Sequence, residues 1–444
     1  MKKRVISKET QEELIYQLSL IFSIKGCTAL GKSEIESLLK ENSFTNKYLF
    51  WDDINKDVVA VLFDEREAIY GMKLKTLRKP ADLDIFFGNL FCRVFNNDIQ
   101  VFPDADKNLE HWYSLGDSRF RRAIAKFSAF STEPMLNWMQ TIESSVNLTY
   151  EGTPFSYCLF MTKQKEWIQN KLTGRFVDFK KHIPFRRALL SEKWIRAATL
   201  SHIIGIAGLG FSGDIFGMYS IPENDLNESD FILTPHEKIR PIVNLITPGT
   251  CMFLTTTYGD IYTILPNKAI FLKTKGKWRY LNYYNILGVL EEFLEGSIAK
   301  EVIQLTLNLS YERSGALIAI PDKDEFIQQM VPDFAKSHTN RELRSSLNGL
   351  NISNSANRTV IMAASKIDGA IILSKTGILL DVACMITEPT KESLEKIGLT
   401  ELMRHSGARS TAAWNSSVFG IAIKISEDGP ISIFKHGILL EEIG

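Results

Sequence analysis

The chain has 444 residues, 45% of them hydrophobic, with 52 basic residues against 52 acidic and a pI near 7.1. That length exceeds one typical domain and fits two or three. Balanced charge excludes a broad polyanion-binding surface and leaves room for a local phosphate site. Five scattered cysteines, Cys27, Cys92, Cys158, Cys251 and Cys384, have no CxxC spacing, which argues against a zinc site and fits a reducing, cytoplasmic setting.

The N-terminal stretch MKKRVISKETQEELIYQLSLIFSIKG has a basic start and apolar residues, but Glu12 and Glu13 interrupt it, and the spacing predicts an amphipathic helix rather than a signal peptide. Residues 1–117 read as an N-terminal α/β segment without a functional motif. Lys8–Ile24 and Lys32–Glu41 are expected as helices, and Leu49–Phe63 as a strand pair around a polar turn. The apolar run Ile203–Tyr219 is short, glycine-rich and contains Asp214, so it predicts a buried strand pair and no membrane span.

The remainder repeats itself. Asn147-Leu148-Thr149-Tyr150-Glu151 returns as Asn308-Leu309-Ser310-Tyr311-Glu312, each followed by an apolar run. Ser201, Ile203, Gly205, Leu209 and Gly213 return at Ser365, Ile367, Gly369, Leu373 and Gly377, and Arg240 returns at Arg409. The separation grows slowly along the chain, as small loop insertions between two copies of one domain would make it. The copies are expected over 118–286 and 287–444. In the second, Ile286–Leu307 predicts a long helix, Gly315–Ile320 a buried strand, and Lys323–Met330 and Arg341–Leu347 helices. The fold class is therefore α/β, each copy a mixed sheet flanked by helices.

Three segments of the second copy could carry chemistry: Ser314–Ile320 (SGALIAI), Ile367–Leu373 (IDGAIIL), and Gly407–Ala413 (GARSTAA) followed by Ile425–Ser432 (ISEDGPIS). Taken singly, Asp368-Gly369 and Glu427-Asp428-Gly429 are ordinary turns, and Arg409 an ordinary helix-end charge. In this order, the segments resemble the catalytic domain of the diadenylate cyclases: its core strand, its DGA motif, its GTRHRAA motif and its SEE-G-IS turn. The resemblance covers about 140 residues. It implies ATP as the ligand, Asp368 and Arg409 as catalytic residues, and Gly369, Ala370, Gly407, Ala408, Arg409, Ser410 and Thr411 as nucleotide-binding. It also implies Asp368 and Glu427 as ligands of Mg2+ or Mn2+, and a homo-oligomer formed through this domain.

The chain departs from the family at Arg409-Ser410-Thr411, where the family has Arg-His-Arg. Arginine grips phosphate through a fixed fork of donors, so the exchange removes charge. An insert at Thr387–Ser406 carries Lys391, Lys396, Arg404 and His405, which could restore it. The first copy has Ile204 matched to Asp368, and Tyr258 or a neighbour opposite Glu427, so it is expected to be degenerate and regulatory. Its run Gly205–Gly213 does not fit a phosphate-loop fingerprint. The basic, aromatic stretch from Lys163 to Arg196 reads as a solvated helix pair with buried aromatics, and nucleic acid is not expected as a partner. The alternative to catalysis is a nucleotide sensor that keeps the fold.

Overall fold

The computed structural model describes residues 8–41, 47–51, 58–65, 68–101, 109–128, 130–172, 175–199, 204–210, 212–220, 232–332 and 341–443. The expected turn at 52–57, and Ser201 and Ile203 of the repeated motif, lie outside them. The chain forms two compact units: Met1–Ile232 with Lys238–Asn282, and Leu233–Glu237 with Tyr283–Gly444.

The first unit contains an antiparallel sheet of β1 (Ile24–Ala29), β2 (Leu49–Trp51), β3 (Val58–Glu65) and β4 (Ala68–Thr76), in the order β1-β4-β3-β2. A two-strand ribbon follows, β5 (Thr149–Tyr150) with β6 (Thr153–Pro154). The larger sheet has β7 (Cys158–Thr162), β8 (Phe176–Pro184), β9 (Ile204–Leu209), β10 (Asp214–Ser220), β11 (Thr250–Thr255), β12 (Ile261–Ile264), β13 (Ile270–Thr274) and β14 (Lys277–Leu281). Their order is β14-β13-β12-β11-β7-β9-β10-β8.

Residues 1–117 do not form a separate core. The helix Asp82–Val101, whose apolar residues Phe87, Phe91 and Phe95 recur every fourth position, places Phe87 with its ring 4.7 Å from that of Phe271 in β13. Leu14, Leu18, Phe91 and Trp138 join one cluster with Phe253, Phe271 and Tyr280. Such rings bury large apolar areas, which draws the N-terminal segment and the first copy into one body. The stretch Lys163–Arg196 also differs from the expected helix pair: its short helices flank an edge strand, β8. Phe185 is buried, and Phe179 packs edge-on against Trp194.

The second unit has one mixed sheet: β15 (Ala316–Pro321), β16 (Ala370–Leu373), β17 (Leu379–Cys384), β18 (Gly420–Ile425), β19 (Ile431–Lys435) and β20 (Ile438–Ile443), ordered β17-β16-β15-β18-β19-β20. Side chains alternate across a strand. Leu317, Ala319, Ala370, Ile372 and Ala422 therefore share one face, in a cluster with Ala413 and Trp414 of the helix Ala408–Ser417. The expected helix over Ile286–Leu307 is two helices, Tyr283–Glu291 and Gly296–Tyr311. The intervening turn drops Leu294 into the core, its N–H bonded to Leu290 O at 2.8 Å.

The two copies share a topology. In order and direction, β10-β9-β7-β11-β12-β13 matches β17-β16-β15-β18-β19-β20: β7 with β9 and β15 with β16 are parallel, and all other neighbours antiparallel. The first copy adds β8 and β14 at its edges. One hairpin turn recurs too: Thr256 N–H bonds Asp260 O and Gly259 N–H bonds Thr256 O, as Ser426 N–H bonds Pro430 O and Gly429 N–H bonds Ser426 O. The turn equates Thr257, not Tyr258, with Glu427. Followed through the ladders Leu254–Cys158–Gly205 and Lys424–Leu317–Ala370, it equates Gly205 with Ala370. Ile204 thus answers to Gly369 and not to Asp368.

In the first unit, Arg119 is fully buried, its Nε 2.8 Å from Asp98 Oδ2, and Arg122 donates to both oxygens of the same carboxylate. Removing one partner of a buried pair leaves uncompensated charge. Asp98→Ala is expected to lower stability by about 3–5 kcal/mol, measured by urea unfolding; a loss under about 1 kcal/mol would show that the pair is not effectively buried.

Candidate nucleotide site

The site grows out of the end of the sheet where β15 and β16 begin and β18 finishes. Leu317 pairs with Ala370 in parallel, and Ala316 with Ile425 antiparallel. Continuing both ladders outward puts Asp368 to one side of Gly315 and Glu427 to the other. At ordinary strand spacing, their backbones stand roughly 10 Å apart. Gly315 between them has no side chain because nothing would fit: a Cβ there would lie 2.3 Å from Arg409 Nη1 and 2.7 Å from Glu427 Cγ. Arg409 comes from the first turn of the helix Ala408–Ser417, which starts at Gly407 with φ +112°.

Arg409 Nη1 and Nη2 each donate to Glu427 Oε1 at 3.4 Å. These are long contacts between partly exposed groups, so water and a competing anion can replace them. Ser410 Oγ accepts from Lys424 Nζ at 3.2 Å. The Thr411 hydroxyl faces the carbonyls of His405 and Gly407, 3.2 Å from each; it ties the preceding loop to the helix start. Arg409, Ser410, Gly407 and Ala408 are therefore together at one helix N-terminus, with Glu427 beside them. Asp368, exposed, and Gly369 and Ala370 sit at the neighbouring strand start.

Two supports hold the Asp368 turn. Gly369 has φ +113°, and a Cβ there would meet Ala383 C at 2.6 Å and Cys384 N at 2.8 Å. Ala383 is itself left-handed, φ +51°, within an irregular stretch of the β16–β17 ladder. A buried bidentate pair pins this stretch: Arg344 Nε to Asp381 Oδ1 at 2.8 Å and Nη2 to Oδ2 at 2.7 Å. Burial, with Asp381 adding to it, pushes the Cys384 thiol up to about 12, so it is an inert packing group.

The second support is Glu312, at the end of the helix Gly296–Tyr311. Its carboxylate meets His236 Nε2 at 3.4 Å and Lys366 Nζ. The hydrogen bond from His236, followed by that from Lys366, draws the Glu312 carboxyl down to about 2. Glu312 stands three residues before Gly315 and Lys366 two before Asp368, so the bridge ties together the two segments that flank the site. The segment Leu233–Glu237 lies along the same helix: Gln304 Nε2 donates to Thr234 O at 3.2 Å, and Glu237 N–H to Asn308 Oδ1 at 2.9 Å. No sequence motif marked His236 or Lys424.

Two of the insert's cations are paired within it. Lys396 pairs with Glu392 and Arg404 with Glu388, both exposed, while the His405 ring packs on Phe434. Among the described residues, no group of three or more His, Cys, Asp or Glu forms a metal cage. Asp368 and Glu427 offer carboxylate oxygens on either side of one open glycine. That donor set fits Mg2+ or Mn2+ held by one or two carboxylates plus substrate phosphates.

Residues 306–439 match the family model DAC, DisA bacterial checkpoint controller nucleotide-binding. The match begins inside the helix Gly296–Tyr311, ends in β20, and spans every residue assigned to the candidate site except His236. The C-terminal third therefore carries a DAC-type nucleotide-binding domain, where the sequence resemblance placed it. No curated protein matches the chain. Among the described residues, no helix is long and apolar enough to cross a membrane.

Two glycines of the DAC-type domain should respond differently to a methyl group. Gly369→Ala combines a left-handed backbone with backbone clashes, so it should cost about 2 kcal/mol or more in urea unfolding. Gly315→Ala meets only movable side chains; it should cost less than about 1 kcal/mol yet weaken ATP binding by displacing Arg409. Equal stability losses would contradict this assignment. Because the Glu312 pKa lies below its ordinary 4.5, its contribution to stability is complete above that pH and is lost as pH falls toward about 2. Thermal melts of wild type and Glu312→Gln should accordingly converge as pH drops through that window. A constant gap would show that the bridge does not titrate as described.

Proposed function

We propose that the second copy binds ATP and condenses two ATP molecules into cyclic di-AMP, releasing pyrophosphate. The observation that carries this reading is the meeting of Arg409 and Glu427 over the side-chain-free Gly315, beside the strand start that carries Asp368, within the segment that matches a nucleotide-binding family. Gly407, Ala408, Ser410 and Arg409 at the helix start hold phosphate oxygens, through backbone N–H groups, a hydroxyl and a guanidinium. Gly369 and Ala370 let the nucleotide come close to the backbone, and Thr411 keeps the helix start in place.

In each half-reaction, a ribose 3′ oxygen bonds to the α-phosphorus of the other ATP. The bond from that phosphorus to the bridging oxygen breaks, pyrophosphate leaves with the electron pair, and the hydroxyl proton passes to solvent. Such transfers depend on alignment and on neutralising charge. Asp368 and Glu427 would hold Mg2+ or Mn2+, which when bound supplies positive charge beside the phosphates and acidifies the hydroxyl. Arg409 changes partner from Glu427 to phosphate as the nucleotide enters.

One competent copy holds one ATP, so two chains pair their second copies across a two-fold axis during turnover. The first copy, with Thr257 where the second has Glu427, lacks that carboxylate, binds no metal there and serves regulation. The ATP chemistry and the five free cysteines, four of them buried, suit the cytoplasm. A second reading, a nucleotide sensor without turnover, is favoured by Ser410 and Thr411 standing where the family has a histidine and a second arginine.

The test incubates the protein with ATP and Mg2+ or Mn2+ over a range of protein concentrations and measures cyclic di-AMP. Specific activity should rise with concentration and vanish in Asp368→Asn, with the thermal melt unchanged. Binding of ATP without product under either metal would establish the sensor; absence of ATP binding would overturn both readings.

A further inference from the structure

β18 reads Gly-Ile-Ala-Ile-Lys-Ile, and each of its residues except Lys424 is buried. Lys424 projects on the same face as Ala422 and its ladder partner Leu317, the face covered by the helix Ala408–Ser417. There it is half-buried, and its ammonium reaches the first turn of that helix, 3.2 Å from Ser410 Oγ. It forms no ion pair with any described carboxylate. A lysine under a helix N-terminus is unfavourable on two counts: burial costs solvation, and the positive end of the helix dipole repels it. The first copy solves the same packing position with Leu254. The second keeps a cation where a leucine would be more stable, and this cation reaches Ser410, the residue next to Arg409, from the strand that ends just before Glu427.

We infer that Lys424 is a phosphate-binding residue that supplies, together with Arg409, the second positive charge of the nucleotide site. This inference rests on the ATP-binding reading above. It answers the charge lost at Ser410 and Thr411: the cation comes from the sheet below the helix, and not from the helix itself or from the insert 387–406. Ser410 orients it, receiving one of its three N–H donors and leaving two for phosphate oxygens. A lysine here acts as a point charge, without the planar fork of an arginine. Its preference is therefore for the number of phosphate charges, with little demand on their geometry, and none for the base or ribose.

The experiment is calorimetric titration of the full chain with ATP, ADP, AMP and adenosine in the presence of Mg2+, for wild type, Lys424→Met, Lys424→Arg and Arg409→Ala. Lys424→Met keeps the apolar stem and removes the charge. It should weaken ATP binding by about ten- to a hundredfold, the range of a charged hydrogen bond, with a smaller loss for AMP and none for adenosine. Lys424→Arg should recover most of the ATP affinity. If Lys424→Met binds ATP as wild type does while Arg409→Ala is weakened, the inference about Lys424 falls and the nucleotide site stands. An equal loss for ATP and adenosine would mean that Lys424 supports the fold of the site and does not contact phosphate, which also overturns the inference. If the wild type binds none of the four compounds, the site reading and this inference fall together.

Discussion

The parallel pairing of β15 with β16 is the constraint on which the site depends. In a parallel pair both strands begin at the same end, so the segments that enter them, Ser314–Gly315 and Asp368–Gly369, arrive side by side. The antiparallel neighbour β18 finishes at that same end and delivers Glu427. Three chain segments far apart in sequence thus meet with no long loop to order. The helix Ala408–Ser417, packed across the face by Ala413 and Trp414, aims its first turn at the meeting point. Sheet pairing sets the spacing, helix packing sets the height of the roof, and the missing side chain at Gly315 leaves the space between them.

The two copies show how little of a shared fold is committed to chemistry. Both have the same six-strand order, the same parallel pair and the same hairpin turn, held by apolar strands that tolerate one another's residues. The strands differ in sequence along their length but stay mostly apolar, and at their ends the differences change residue chemistry. Isoleucine and threonine replace glycine and glutamate there, and leucine replaces lysine within β11 at the level of Lys424. Changes at exposed strand ends cost the core little, so two copies can differ there and both remain intact α/β bodies. A shared scaffold alone does not specify function.

Much of this was legible in the sequence, for identifiable reasons. The repeat was visible because buried strands keep a recognisable apolar run between fixed turns, and Gly369, Arg409 and Glu427 were visible as parts of ordered motifs. What escaped depends on neighbours distant in the chain. The helix Asp82–Val101 buries Phe87, Phe91 and Phe95 along one face and turns Asp82, Asn89, Arg93, Asn97 and Gln100 outward, but Asp84, Asn96 and Asp98 are also buried, which blurs its period in the sequence. The match of Ile204 was one residue off, because motif spacing ignores the extra loop residue that the sheet register counts. Lys424 reads along the chain as an ordinary outward lysine on a strand, and only the helix above it gives it a partner. His236 lies in a loop of the first copy and has its partner in the second.

That last placement makes the DAC-type unit discontinuous. Five residues, Leu233–Glu237, belong to it although they precede the 45 residues that return to the other unit. On the helix Gly296–Tyr311, the side chains of Gln304 and Asn308 are fully buried, and each has a partner in that short strap. A fragment starting at Tyr283 would therefore carry two amides in its interior with those bonds unmade, and Glu312 without its histidine. By its contacts this unit is not one contiguous stretch of the chain. A cut at Tyr283 therefore severs hydrogen bonds that the tandem layout of the sequence conceals.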